Sequence, residues 1–370
     1  MGKNLKVLMI SSDRNVLVPE SAVSERMKEY GALVEELHIV LLSDARHGLK
    51  DKQLSKTVWV YPTNSTVNFL RPIDATRIGK KIVVDHKFVR GKSVITTQDP
   101  FECGWVGMRI KKKWRIPLEV QLHTDPFSPN FSGLLNVVRK LIAKNIFKFA
   151  DSIRVVRPKL GRKITENYGI ESKMISVLPI YIDTKRFIGD PKFNLHERFK
   201  KFKYVVLTIS RLSKEKNLHT IITSMLQVDD TVLIIVGSGP EEKSLRKLTQ
   251  ELKISGRVVF EGWQEDLLSY YKTADVLVQA SSFEGYGMSI VEAAMCGLPV
   301  ISTPTGISED LDEVNKADDV DSFAQRINYL LHNESERKEL GKKLMETIKI
   351  DTKEEFLTKL KENWEKTANL

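Results

Sequence analysis

The chain has 370 residues, 41% of them apolar and 29% charged, with a formal net charge of +10, the balance of a globular protein of roughly two domains. Its two cysteines, Cys103 and Cys296, lie far apart in a pattern that excludes a Cys-based metal or redox motif and argues against a secreted disulfide framework. The opening MGKNLKVLMISS has too short an apolar run for a secretory signal, and no stretch approaches the ~18 apolar residues of a membrane span, so a cytoplasmic chain is expected.

The charge is unevenly placed. Residues 1–200 hold 36 Lys and Arg against 20 Asp and Glu, a net of +16, whereas residues 201–370 hold 22 against 28, a net of −6. A basic first half suits a polyanion or an anionic membrane surface. In chain order, KVLMIS reads as a strand, SAVSERMKEYG as a helix, and ELHIVLLS, VWVYPT, SVITTQ and LEVQLH as further strands. GLLNVVRKLIAKNIFKFA reads as a helix, then SIRVV as a strand, LGRKITENYG as a helix and MISVLPI as a last segment. The second half repeats the scheme from KYVVLTIS, through NLHTIITSML, TVLIIVG, EEKSLRKLTQELK, RVVFEG and VLVQAS, to PVIST. Repeated alternation of strand and helix predicts mainly parallel sheets covered by helices. The polar stretch from Tyr181 to Lys200, broken by Gly189 and Pro191, reads as the linker. The expected domains are 1–185 and 186–350, with 351–370 a charged terminal helix.

Several strand ends carry chemistry, and ligands of open α/β sheets bind at the carboxyl edge. After the first strand stand Ser11, Ser12, Asp13 and Arg14. In TTQDPFECG, Asp99 reads as a helix cap. LEVQLHTDPF places His123 and Asp125 after a strand, where a His often serves only structure. Lys140, Lys144 and Lys148 recur every four residues beside Leu134, Leu135, Val138, Leu141, Ile142 and Phe149. A membrane-surface helix has this pattern. So does a crossover helix packed on a sheet, which is the stronger reading of the helix alone; the nearby KKKWR, Lys111 to Arg115, narrows the gap. SRLSKEKN sets Arg211 and Lys216 in one loop, a planar fork and a point charge suited to a diphosphate. Gly237 and Gly239 open a helix after TVLIIV, a weak signal that tight packing explains equally well. Trp263, in EGWQ, is balanced between flanking a base and packing in the core.

The strongest signal is EGYGMSIVEAAMCGLPVIST. Glu284 and Glu292 stand eight positions apart, with Gly285 and Gly287 between them, at a predicted strand–turn–helix junction. The helix start at Met288 and Ser289 would offer unpaired N–H groups to an anion. Two merely solvated carboxylates would be the default, yet that leaves the glycines, and the apolar setting of Glu292, without a reason.

This pattern, with Gly297, Pro299 and Val300 after it, resembles the retaining glycosyltransferases of family 4, specifically from Tyr204 to Gly306 and more weakly in the first half. The resemblance implies the GT-B fold: two Rossmann-like domains, an N-terminal acceptor-binding one and a C-terminal nucleotide-sugar-binding one, their parallel sheets facing across a cleft, with the last helix crossing back. It implies a retaining transfer of a sugar from a nucleotide-diphospho-sugar to a glycan or lipid-linked acceptor. Arg211 and Lys216 would hold the diphosphate, Glu284 the sugar hydroxyls and Glu292 the ribose. Gly285, Gly287, Met288, Ser289, Gly237 and Trp263 would line the donor site, and His123 the sugar pocket. Two departures weaken the acceptor side. Ser12 and Arg14 stand where many members have a Gly-Gly loop, which makes them and Asp125 the acceptor-side candidates. Ile180 to Asp183 reads IYID in place of Asn-Gly-x-Asp. No cofactor or metal is expected. The alternatives are a sugar-nucleotide epimerase of the same fold, or a non-catalytic sugar-binding or polyanion-binding protein. A nucleic-acid binder lacks a motif. Peripheral contact with an anionic inner membrane surface through the basic half is a further expectation.

Overall fold

A computed structural model describes residues 4–128 and 131–370. The chain divides into two units, Met1–Ile180 joined by Lys353–Leu370, and Tyr181–Thr352.

The first unit is built on an eight-stranded sheet. Its strands are β1 (Lys6–Ser11), β2 (Glu36–Leu41), β3 (Lys52–Ser55), β4 (Val58–Pro62), β5 (Ser93–Thr97), β6 (Leu118–Leu122), β7 (Ser152–Val155) and β8 (Ile175–Val177). They lie in the order β3-β4-β2-β1-β5-β6-β7-β8. Only the edge strand β3 runs antiparallel, against β4. The central strands are buried almost end to end, as helices on both faces of a parallel sheet require. That is why these strands read as continuous apolar runs rather than as alternation.

Two helices of this unit owe their place to glycine. A Cβ on Gly79, in the helix Arg71–Asp85, would stand 2.6 Å from Ile110 of the helix Glu102–Trp114. A Cβ on Gly107 would stand 2.7 Å from both Leu118 and Thr97. Asp99 caps the start of Glu102–Trp114 as expected, accepting from the N–H groups of Phe101 and Cys103 at 2.8 and 3.1 Å.

The terminal helix Lys353–Ala368 packs within this unit. Trp364 is fully buried, edge-on to Tyr30 with ring centroids 6.0 Å apart. Its indole N–H donates to Glu119 Oε1 at 3.3 Å, and Asn363 donates to the other oxygen of the same carboxylate. Glu119, on β6, also accepts from Thr96 at 2.7 Å. A buried carboxylate supplied with donors in this way avoids the desolvation cost of an unpaired one.

The helix Leu134–Phe149 is the crossover between the parallel strands β6 and β7, but it does not bury its whole apolar stripe. It buries only Ala143, Ile146 and Phe147, while Leu134 is 84%, Leu135 62% and Leu141 62% exposed. Val137, Val138 and Phe149 are exposed as well. A helix packed on a sheet through its apolar stripe would hide these residues. Here most of that stripe faces outward, beside exposed Lys144 and Lys148.

The second unit holds a six-stranded parallel sheet of β9 (Tyr204–Ile209), β10 (Thr231–Val236), β11 (Val258–Gly262), β12 (Val276–Gln279), β13 (Val300–Ser302) and β14 (Asn315–Lys316). The order is β11-β10-β9-β12-β13-β14. Val206, Leu233 and Ile235 share a core with Ile221 and Ile222 of the helix Leu218–Ser224 and with Phe323 and Ile327 of the helix Val320–His332. A reciprocal cap between Asp319 and Ser322 starts the latter helix.

Candidate functional site

In the second sheet β9 lies between β10 and β12, so successive connections leave it in opposite directions. The crevice outside the carboxyl ends of β9 and β12 is the switch point where doubly wound sheets bind ligands. The two motifs of opposite charge meet there. SRLSKEKN follows β9, and the Glu284 loop follows β12.

Lys216 Nζ donates to Glu284 Oε1 at 2.6 Å. The same oxygen accepts from Gln279 at 2.8 Å and Ser281 at 2.7 Å. Gln279, the last residue of β12, is itself held by Ser289, whose hydroxyl donates to the Gln279 side-chain amide oxygen, Oε1, at 2.6 Å. Three donors thus fix one carboxylate oxygen, and Oε2 takes none of the three. Glu284 and Lys216 are mostly shielded, with side chains 11% and 20% exposed, so the pair sits in a medium where charge interactions exceed those in bulk water. Arg211 is far more open and pairs with Glu215 at 2.6 Å. Glu215 also accepts from Ser213 at 2.6 Å. The Ser213 hydroxyl first, and then Arg211, hold the Glu215 carboxyl down at about 2 against some desolvation.

Glu292 lies in the helix Met288–Met295, between buried Val291 and Ala293. Its Oε2 accepts from the Tyr271 hydroxyl at 2.7 Å. Burial raises its pKa above the usual carboxylate range, opposed by the Tyr271 hydrogen bond and by Arg186. Gly287, with φ of 99°, is the turn residue before this helix, a conformation that disfavours side chains. Gly306 lies close by, where a Cβ would fall 2.5 Å from the Tyr286 carbonyl and 2.8 Å from Glu284 Cβ. Gly285 is partly buried in the loop itself, and Met288 and Ser289 form the first turn of the helix.

Gly237 has a packing reason. A Cβ there would stand 1.9 Å from the Ser210 carbonyl, and one at Gly239 2.3 Å from the Leu212 carbonyl. These glycines let the β10 loop lie against the start of SRLSKEKN. Trp263, just past β11, is 73% exposed, so the core reading of this residue does not hold.

His123 follows β6 in the first unit. Its Nε2 lies 3.0 Å from Gln121 Oε1. Desolvation, aided by Arg154 and Arg26, pushes its pKa down to about 3, which leaves a neutral imidazole. Asp125 is buried and accepts from Arg157 at 3.0 Å and Lys163 at 2.6 Å. Its carboxylate is engaged in holding β7 and the helix Pro158–Tyr168 to the loop after β6. Ser12 and Arg14 line a cavity of about 490 Å³ at the carboxyl ends of β1 and β2, with Asp44, Arg46, His47 and Arg71. Arg14 bonds His47, and Arg71 bonds Asp44.

Sequence reasoning missed Glu215, Gln279, Ser281 and Tyr271. Glu215 stood in view between the two cations of its loop. Gln279 and Ser281 are polar residues ending an apolar strand, which was a usable signal. Nothing local marks Tyr271 as the partner of Glu292, since the two lie on different helices.

The two Rossmann-like sheets and their connections define the GT-B class. A structure of Anabaena HepE in complex with UDP is similar over 98% of this chain and 99% of that one, with a TM-score of 0.75 and 18% identity. Residues 192–346, within the second unit, match the family described as Glycosyl transferases group 1. Among curated relatives, a lipopolysaccharide core biosynthesis glycosyltransferase of Rhizobium meliloti is 33% identical over 150 residues, 39% of this chain and 44% of that one. An alpha-monoglucosyldiacylglycerol synthase of Streptococcus pneumoniae is 27% identical over 232 residues, 56% and 51% of the two chains. The chain spans about half the length of the curated relatives it matches. No helix among the described residues is long and apolar enough to cross a membrane.

Proposed function

We propose that this chain is a retaining glycosyltransferase that moves a sugar from a nucleotide-diphospho-sugar to a glycan or lipid-linked acceptor. The observation that carries the reading is the pairing of Lys216 with Glu284, with Arg211 nearby on the same loop, at the switch point of the second sheet. The curated relatives support it by name, and the UDP bound to the similar Anabaena protein supports the donor class.

In this reading Arg211 and Lys216 stabilise the charge that grows on the departing diphosphate, assisted by backbone N–H groups at Gly287, Met288 and Ser289. Glu284, its orientation set by Gln279 and Ser281, holds donor-sugar hydroxyls. Glu292, oriented by Tyr271, holds the ribose. The acceptor oxygen bonds to the anomeric carbon on the face the diphosphate leaves, and the acceptor proton passes to the leaving phosphate oxygen. His123, neutral, serves as a hydrogen-bonding group. The two cations take the place of a metal at the diphosphate, so adding Mg²⁺ or Mn²⁺ leaves the rate unchanged. Retention is tested by nuclear magnetic resonance of the product: an α-linked donor sugar gives an α-linked product, and an inverted product overturns this part of the reading.

The acceptor side is proposed to work at an anionic membrane surface. The outward apolar residues of Leu134–Phe149, with Lys144 and Lys148 beside them, form the docking face. Apolar burial and attraction of basic residues to anionic lipid act together, at roughly 1 kcal/mol per Lys or Arg near the surface.

A further inference from the structure

The first unit contains a cluster that the transfer reaction does not use. Glu36 and His38 sit two residues apart on β2, so their side chains share one face of the sheet. His86, capping the end of the helix Arg71–Asp85, comes down beside them. Glu36 Oε2 lies 3.0 Å from His38 Nε2 and 3.2 Å from His86 Nδ1. The ligand atoms of the three residues all fall within 4.8 Å of one another. We propose that Glu36, His38 and His86 form a zinc-binding site that clips the start of β2 to the end of the helix Arg71–Asp85.

The donor set suits that ion. Imidazole nitrogens and one carboxylate oxygen are common zinc ligands, and three of them leave a fourth position for water. Zinc bonds of about 2.0–2.1 Å place tetrahedral ligand atoms roughly 3.3 Å apart, which the two shorter separations here approach before any adjustment.

The surrounding residues hold the ligands as a metal site requires. His38 is fully buried, stacked on Trp59 of the neighbouring strand with ring centroids 4.9 Å apart and planes at 9°. Tyr61 Oη lies 3.1 Å from His38 Nδ1. An N–H on Nδ1 donated to that hydroxyl leaves the Nε2 lone pair for the ion, the outer partner that fixes ligating histidines. Lys6 approaches Glu36 at Oε1, 3.4 Å away, and leaves Oε2 to the cluster. Its charge is shared with Glu35 at 3.6 Å. The side chains of His86 and Glu36 are partly exposed, which gives an ion its way in.

The site lies at the amino end of the sheet, since Glu36 is the first residue of β2 and Lys6 the first of β1. The cavity of Ser12 and Arg14 lies at the carboxyl end. The ion therefore contributes stability, and the inference stands apart from the glycosyltransferase reading.

The test uses full-length protein without a His-tag, stripped with a chelator and titrated with Zn²⁺ by calorimetry and with Co²⁺ by absorption. The expected result is one saturable ion per chain, a raised melting temperature, and visible d–d bands of a tetrahedral site. His86→Ala and Glu36→Gln remove groups at the surface of the cluster, so they preserve folding, and each weakens binding by about tenfold or more. His219→Ala, at an exposed position outside the cluster, leaves binding unchanged. Absence of saturable binding, or binding that survives both His86→Ala and Glu36→Gln, overturns the proposal and leaves a hydrogen-bonded cluster only.

Discussion

Lys216 and Glu284 neutralise each other in the free protein, and that pairing sharpens what each substitution does. Lys216→Ala removes an electrostatic donor from the diphosphate, and turnover falls on the order of a hundredfold or more while the melting temperature stays close to that of the parent. Glu284→Gln has the opposite effect on binding. It frees Lys216 from its counter-charge, so calorimetry finds affinity for the free nucleoside diphosphate unchanged or higher, while transfer collapses. Lower affinity in Glu284→Gln contradicts the assigned role. Glu292 carries a different signature. Its native pKa is raised by burial, so the native state binds more protons than the unfolded one, and stability is lost as pH rises from the ordinary carboxylate value of about 4.3 through the native one. Glu292→Gln therefore melts at or above the parent temperature near neutral pH, with an advantage that shrinks in acid. The same variant binds nucleoside diphosphate more weakly, because the ribose loses its carboxylate. A scan of melting temperature against pH, beside calorimetry, checks both halves.

Among the elements, the terminal helix is held by one large side chain. Trp364 is fully buried and hydrogen-bonded to buried Glu119, and truncating such an aromatic typically costs about 3–5 kcal/mol. Trp364→Ala is expected to lower the unfolding free energy of the first unit by that amount in chemical denaturation, whereas Lys361→Ala, which loses only an i,i+4 pair, changes it by less than about 0.5 kcal/mol. The helix Leu134–Phe149 gives the converse prediction. Leu134, Leu135 and Leu141 are exposed, so replacing all three by Ser leaves stability nearly unchanged but removes binding to vesicles rich in anionic lipid. Parent protein sediments with anionic vesicles, not with neutral ones, and less at high salt. Equal binding to both lipids, or to neither, removes the membrane assignment and points to a soluble acceptor.

At the scale of the molecule, legibility followed burial. The parallel strands were read because both faces are covered, which turns them into unbroken apolar runs such as TVLIIV and KVLMIS. The helix Arg71–Asp85 was not read, because Gly79 interrupts its pattern, although Pro72 in its first turn was a usable start signal. Gly79 is there for a contact with Ile110 that no local window contains. The edge strand β3 was missed for a related reason: Lys52 and Gln53 are exposed, so no apolar signal marks it. In the site, the residues in loops after strands were legible by type and spacing. Their partners were not, since Glu292 finds Tyr271 and Lys216 finds Glu284 only through the fold. The outward face of Leu134–Phe149 shows the limit from the other side, because its apolar period is the same whether the stripe is buried or exposed.

The central claim is that the second unit binds and activates a nucleotide-diphospho-sugar through Lys216 and Glu284. The most direct measurement is donor turnover. Purified protein is incubated with uridine, guanosine and adenosine diphospho-sugars, and release of nucleoside diphosphate is followed in parent, Lys216→Ala and Glu284→Gln. The account predicts slow release from one of these donors by the parent, with release lost on the order of a hundredfold or more in both variants. Release by folded Lys216→Ala and Glu284→Gln at the parent's rate contradicts it.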